Sequence, residues 1–123
     1  MNVKHNDSAE HTVERIINHI QEMKGEDIVV IDLRGVTSVC DFFVITTGTS
    51  NIHIKAIADY IHEKMKKEDS TLPWHTEGYE AQKWVLLDYV DVVVHVFDAE
   101  TRSYFSLEKL WDDAKIKRIE TED

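Results

Sequence analysis

The chain has 123 residues, of which 14 are basic and 24 acidic, so its formal net charge is −10. A length of this order predicts one domain, residues 1–123, that buries roughly two-thirds of its unfolded surface. No run approaches the ~18 apolar residues of a membrane span, and a single cysteine, Cys40, excludes an intramolecular disulfide. These features predict a reduced, cytoplasmic protein that binds no membrane. Its charge disfavours direct nucleic-acid binding and favours basic partner surfaces.

The first half predicts a helix, two strands and a second helix. Apolar residues at helical spacing predict the first helix over residues 9–24, with Asp7 or Ser8 as its cap and Gly25 at its end. Residues 28–33 and 39–47 are predicted strands, the latter in the sheet centre. Ser50 is predicted to cap the second helix. The buried stripe of that helix is expected to comprise Ile54, Ile57, Ala58, Ile61 and Met65.

The most apolar stretch lies in the second half, at residues 84–97. It predicts strands over 84–89 and 92–97, with Asp88 and Asp91 near the turn between them. Tyr89-Val90 is poor turn chemistry, so a bent, bulged or continuing ribbon is as plausible as a tight hairpin. Before it, residues 72–75 favour a short edge strand, because Pro73 is tolerated at sheet edges.

The C-terminal part predicts one more helix and a solvated tail. Asp98 is a candidate cap for that helix, which would hold Tyr104, Leu107, Leu110 and Trp111. The charged residues 112–123 are expected to fray or to extend as a solvated helix beyond a core of residues 9–111. The order of elements predicts an α/β fold, bordering on α+β. Its single mixed sheet would have about five strands with helices packed on it, and the strands flanking the second helix would be parallel.

A glycine-containing turn and several strand-end aspartates also raise an enzymatic hypothesis. The Gly48-Thr49-Ser50 turn and the aspartates Asp32, Asp41, Asp88 and Asp91 are compatible with a metal-dependent nucleotidyl or phosphoryl transferase. However, the turn has no Walker lysine, and no compact carboxylate pair follows it. A turn that caps a helix and solvated strand-end acids are the simpler interpretation, so we expect no enzyme, metal or cofactor.

His95 and Cys40 also favour structural roles. His95 alternates with Val93 and Phe97, which predicts a buried, hydrogen-bonded ring. Cys40 lies beside Asp41, whose charge would raise the thiol pKa and disfavour a nucleophile.

The ribbon is also a candidate protein interface. Trp84, Asp88 and Asp91 are expected to face outward together at one end of the sheet, where a ring supplies contact area and acids pair with a basic partner.

Several separate segments together resemble the Iojap family, whose bacterial members are called ribosome-silencing factors. They are GEDIVVIDLRG, CDFFVITTGTSNIHIKAIAD, Glu77-Gly78, WVLLDYVDVVVHVF and the pattern of Arg102, Tyr104, Leu107-Glu108 and Leu110-Trp111. The resemblance covers residues 13–111.

The resemblance implies a nucleotidyltransferase-like sheet without a working active site. It also implies binding to large-subunit ribosomal protein fourteen, which prevents the small subunit from joining when nutrients are scarce. Family docking residues correspond to Trp84, Asp88, Tyr89 and Asp91, with Glu77 as a further member. Val90 stands where the family usually has glycine. A homodimer is implied as well, with Tyr104, Leu107 and Trp111 as candidate contacts.

Overall fold

The computed structural model describes the backbone of residues 3–120 and the side chains of residues 9–120. Within that range one mixed sheet has six strands in the order β3-β4-β5-β2-β1-β6. The predicted α/β class with a single mixed sheet is confirmed, with one strand more than expected. The elements are α1 Val3–Glu22, β1 Glu26–Asp32, β2 Phe42–Thr47, α2 Asn51–Asp69, β3 His75–Glu77, β4 Trp84–Asp88, β5 Val92–Phe97, α3 Ala99–Phe105, α4 Leu107–Leu110 and β6 Lys115–Arg118.

Helices α1 and α2 cover one face of the sheet. All five residues of the predicted α2 stripe are buried there, because their spacing places them on one side of the helix. Ser50 caps α2 as predicted, since its Oγ accepts the His53 backbone N–H at 3.0 Å. No helix in the described part of the chain is long and apolar enough to cross a bilayer.

The predicted start of α1 is wrong, and the helix ends at Glu22, two residues before the predicted end. The helix begins at Val3, so Asp7 and Ser8 lie inside it rather than at its cap. At its other end Lys24 adopts the left-handed conformation, with φ of 60°, and the Gly25 N–H bonds to the Ile20 carbonyl at 2.9 Å. Such a turn satisfies a free carbonyl of the last helical turn.

The centre of the sheet is the parallel pair β2–β5. Strand β2 pairs in parallel with β5 and antiparallel with β1, and nearly all its residues are buried, as predicted for a central strand. The strand that follows α2, β3, also runs parallel to β2 as predicted, because β3 is antiparallel to β4 and β4 is antiparallel to β5. Strand β2 starts at Phe42 rather than at residue 39, and Val39 is 75% exposed.

The predicted C-terminal elements need two corrections. The final helix is split into α3 and α4, because Ser106 between them adopts a left-handed φ of 48°. Residues 115–118 form the edge strand β6, antiparallel to β1, instead of a frayed or helical tail. A free β1 edge would leave backbone N–H and C=O groups unpaired, and β6 satisfies them. Asp98 caps α3 as predicted, accepting the Thr101 N–H at 2.8 Å.

Strand β3 occupies the opposite edge of the sheet. It spans His75–Glu77, so the edge position predicted for residues 72–75 is confirmed but the strand begins later.

The β4–β5 connection is a tight antiparallel hairpin closed by a strained turn. The Asp91 N–H bonds to the Tyr89 carbonyl at 2.9 Å, and Val90 between them has a φ of 76°. A bond from residue i+2 to residue i around a central residue with positive φ is the rare γ-turn, which a β-branched side chain makes more costly. Of the alternatives left open by the sequence, the hairpin is therefore the one observed, and Val90 is strained in it.

We expect Val90→Gly to stabilise the protein. Left-handed backbone costs an ordinary residue about 1–2 kcal/mol, and the extra unfolded-state entropy of glycine offsets only part of the relief, so the net gain is about 1 kcal/mol. Urea unfolding followed by circular dichroism measures it. Val39→Gly is the control: Val39 is exposed and has no positive φ, so its replacement should lower the free energy of unfolding. Equal losses for both variants would contradict the strain.

Candidate partner-binding site

The predicted docking residues fall mainly on the sheet face opposite α1 and α2. Trp84, Leu86 and Asp88 point to this face, because alternate residues of β4 point the same way. Glu77 of β3 lies directly opposite Leu86, on the same side. Glu77 is exposed and the other three are partly exposed. We call these four residues the open face.

Helices α3 and α4 cover only part of this side of the sheet. The Phe105 ring lies 4.8 Å from the Trp84 ring, and the Trp111 ring packs edge-on against Phe43 at 6.3 Å. Leu86 is packed against the second core but stays partly exposed. The open face is thus an apolar strip with an acid on either side.

Trp84 is held rigidly within the open face. Its ring stacks on Phe97 with centroids 4.7 Å apart, and its indole N–H donates to Nδ1 of His95 at 3.0 Å. His95 is 3% exposed, which confirms the predicted buried, hydrogen-bonded histidine. Burial lowers the pKa of His95 to about 3, so the ring is neutral at physiological pH and can accept this bond.

Trp84 and the two acids do not gather at one end of the sheet, and that prediction is wrong. Trp84 pairs with Phe97, whereas Asp88 pairs with Val93 at the other end of β4. Four residue steps of a strand span about 13 Å. The ring and the acids therefore mark two ends of a surface strip, with Leu86 between them.

Tyr89 does not belong to the open face. It follows Val85 and Leu87 on the opposite side, in the core under α2, and is 9% exposed. Burial first, and then the nearby Tyr79, raise the pKa of its hydroxyl. That hydroxyl has no hydrogen-bond partner among the described residues. Tyr89 supports the turn from inside and offers no surface to a partner.

Three aspartates lie at the hairpin end of the sheet. The Asp41 N–H bonds to the Asp91 carbonyl at 2.8 Å, and the Asp88 carboxylate accepts the Val90 N–H at 2.8 Å. The pKa of the buried Cys40 thiol is raised to about 11, first by burial and then by the charges of Asp88, Asp41 and Asp91. Asp91 is exposed. None of the three has an ion-pair partner among the side chains described. The raised thiol pKa predicted from Asp41 is confirmed, with burial as the larger cause.

The Glu77-Gly78 pair combines an exposed acid with a packing constraint. Glu77 accepts a bond from His75 Nε2 at 2.7 Å. Gly78 has a φ of 88°, and an added Cβ would lie 1.9 Å from the Trp84 carbonyl oxygen. Only glycine permits this approach of the loop to the start of β4.

The candidate dimer contacts lie in different environments. Tyr104 is 81% exposed on α3, whereas Leu107 is 8% exposed and belongs to the second core. Trp111 is partly exposed against Phe43. Leu107 is thus not available to a second copy in this fold.

The groups of the transferase hypothesis do not converge. Gly48 follows β2 and bonds to the Phe97 carbonyl, while Asp41 precedes β2 and bonds to the Asp91 carbonyl. Six residues of strand separate them, about 20 Å. The Arg34 guanidinium donates a hydrogen bond to the Asp32 carboxylate at 2.8 Å. No group of three or more His, Cys, Asp or Glu in the described residues is placed to hold a metal ion.

The sequence did not reveal the roles of two residues, Leu86 and Arg102. Leu86 joins the open face, and strict alternation along 84–88 was the signal, masked because Leu87 beside it is equally apolar. Arg102 is buried: it donates to the Asp27 carbonyl at 2.7 Å, to Thr47 Oγ1 at 2.8 Å and to Glu108 at 2.8 Å. Arg102 and Glu108 therefore fasten α3 and α4 to the ends of β1 and β2.

Comparison with known proteins identifies relatives of this fold. The structure superposes on a solved protein from Chromobacterium violaceum with a TM-score of 0.80 at 33% identity, covering 91% of this chain and 93% of that one. The chain is 37% identical to the ribosomal silencing factor of Halalkalibacterium halodurans, over 92% of this chain and 96% of that protein. It is 31% identical to mouse mitochondrial assembly of ribosomal large subunit protein 1, over 84% of this chain and 46% of the mouse protein.

A family model described as ribosomal silencing factor during starvation matches residues 6–123. The chain belongs to this family, and the resemblance to Iojap proteins read from the sequence is confirmed.

The buried His95 predicts an acid-sensitive fold. The pKa of an unfolded histidine is ~6.5, so below that pH the unfolded chain binds a proton that the folded ring binds only near pH 3. The free energy of unfolding should therefore fall as pH drops from 6 to 5, with His95 contributing about 1 kcal/mol. Urea unfolding at both pH values measures this loss.

The matched control is His95→Phe, which keeps an aromatic ring but cannot titrate. Its free energy of unfolding should be lower than that of the wild type at every pH, because the Trp84 N–H loses an acceptor. Between pH 6 and 5, however, this free energy should fall by less than in the wild type. Identical pH slopes for the two proteins would contradict a neutral, buried His95.

Proposed function

We propose that the chain silences translation by binding the large ribosomal subunit through its ribosomal protein fourteen, so that the small subunit cannot join. Membership of the ribosomal silencing family supports this, and the name of the mouse relative refers to the large subunit. The identity of the partner is the one that the Iojap resemblance implies.

The observation that carries the proposal is the open face. Helices α1 and α2 bury the apolar side chains on the opposite side of the sheet. On this side, Trp84 and Leu86 remain partly exposed. Glu77 and Asp88 flank them. A central apolar strip with charged residues at its margin is the arrangement found at protein interfaces, where desolvated rings supply most of the binding energy.

Electrostatics favours a basic partner for this face. The net charge is −10, and the acids at the hairpin end have no cation of the described residues within ion-pair distance. Lysines or arginines of a ribosomal protein would pair with Asp88 and Asp91. Attraction between oppositely charged surfaces accelerates the encounter and weakens as salt screens it.

Steric exclusion is the mechanism. A compact chain of this length is roughly 35 Å across. Bound to a protein at the intersubunit face, it occupies space that the small subunit needs. Silencing then requires only tight, well-placed binding, and no chemical step.

The homodimer stays a prediction. Leu107 is buried, so a contact through α3 and α4 would rest on the exposed apolar side chains Tyr104, Phe105 and Leu110, of which Phe105 also packs on Trp84. Such a dimer would compete with, or extend, the open face.

We expect Asp91→Lys to weaken binding to large subunits about tenfold, because it places a like charge against the basic partner. Cosedimentation with isolated large subunits measures the affinity. Glu63→Lys is the matched control: Glu63 is exposed on α2, away from the open face, and the net charge changes equally. Equal loss in the two variants would mean that overall charge alone matters.

The same assay tests the mechanism. The wild-type chain should comigrate with isolated large subunits and not with assembled ribosomes, and its binding should weaken as salt rises. A Trp84→Ala, Asp91→Lys double variant that still pellets like the wild type would defeat the assignment of this site.

A further inference from the structure

Trp74 is a tryptophan that the described part of the fold leaves uncovered. It is 77% exposed, just before the edge strand β3. Its backbone N–H donates to the Asp88 carbonyl at 2.7 Å, which holds it beside the β4–β5 hairpin. Among the aromatic rings of the described residues, the indole has the His75 ring as its neighbour, with centroids 5.9 Å apart. A ring so exposed contributes little to the core.

Two further apolar side chains are exposed along the same end of the sheet. Val90, at the tip of the hairpin, is 59% exposed, and Val39, in the β1–β2 loop, is 75% exposed. The loop is tied to the hairpin because the Asp41 N–H bonds to the Asp91 carbonyl at 2.8 Å. Trp74 directly precedes β3 and Val39 lies in the loop before β2, and these two strands are three strand spacings, about 14 Å, apart in the sheet.

The acids that surround Cys40 lie within this row. Asp88 and Asp91 lie on either side of Val90 in the hairpin, and the Asp41 N–H bonds to the Asp91 carbonyl. No described lysine or arginine forms an ion pair with any of the three. We call the six residues the turn-end patch: Val39, Asp41, Trp74, Asp88, Val90 and Asp91. Asp88 also belongs to the open face, so the two surfaces are continuous around the edge of the sheet.

We propose that the turn-end patch is a second part of the docking surface, with Trp74 as its aromatic anchor in an apolar hollow of a basic protein. This inference rests on the proposed function and assigns the patch to the same ribosomal protein fourteen. Lysines or arginines beside the hollow would pair with Asp41 and Asp91. The partner then contacts both the open face and the turn-end patch, which fixes the orientation of the bound chain.

Other occupants fit the patch less well. Three carboxylates repel a phosphate backbone, which disfavours RNA. A second copy related by a two-fold axis would bring the same three acids face to face, and like charges opposed across an interface are costly. A basic protein surface satisfies both the exposed rings and the unpaired acids.

The test is the affinity of Trp74→Ala for isolated large subunits and for purified ribosomal protein fourteen. We expect a loss of at least tenfold with both probes, and a smaller loss for Trp74→Phe, which keeps a ring. Ile52→Ala is the control, because Ile52 is 81% exposed at the start of α2, at the opposite end of the sheet. Its affinity should stay within about twofold of the wild type.

The outcomes separate this inference from the proposed function. If the wild type binds and Trp74→Ala binds equally well, the patch plays no part while the proposed function stands. If Trp74→Ala weakens binding to subunits but not to purified protein fourteen, the patch contacts another component and the assignment is wrong. Absence of wild-type binding to both probes would overturn the proposed function and this inference together. Thermal unfolding of each variant checks that the exposed substitutions leave the fold intact.

Discussion

The parallel pairing of β2 with β5 is the constraint on which the rest of the molecule depends. At the start of this pair one carbonyl, that of Asp91, accepts the N–H groups of Asp41 and Phe42 at 2.8 and 3.1 Å. The β1–β2 loop is thereby joined to the β4–β5 hairpin, although the two are about fifty residues apart in sequence. Because of this junction three like charges lie together, an arrangement that costs stability unless water or a partner screens it.

The polar groups of the molecule divide into two kinds. Those inside are neutral or paired: His95 is uncharged beside the Trp84 indole, and Arg102 is matched by Glu108 and two oxygens. Those at the hairpin end, among the residues described, are charged and unpaired. A fold that pairs its buried charge and leaves one acidic, partly apolar surface without cations is complementary to a basic protein. The strained Val90 lies within that surface, where exposed backbone tolerates it.

Local patterns predicted most of the elements. The α2 stripe and the Ser50 and Asp98 caps were predictable, because helical spacing and a cap side chain act within one or two turns. The burial of His95 followed from alternation in β5. By contrast, nothing in the charged residues 115–118 indicates β6, since that strand exists only because β1 has a free edge to pair with. The side on which Tyr89 lies was equally hidden, because Leu86 and Leu87 are both apolar and leave the alternation ambiguous.

The sequence by itself determined the family, the acidic charge and the central apolar strands, since these depend on residue identities and short-range spacing. Only the tertiary structure decided which side chains share a surface. The length of β4 separates Trp84 from the acids, and Tyr89 points into the core. Trp74, from a segment without any periodic pattern, lies beside Asp88. The physical reason is that a surface is assembled by strand pairing between distant segments, and pairing register is a property of the whole sheet.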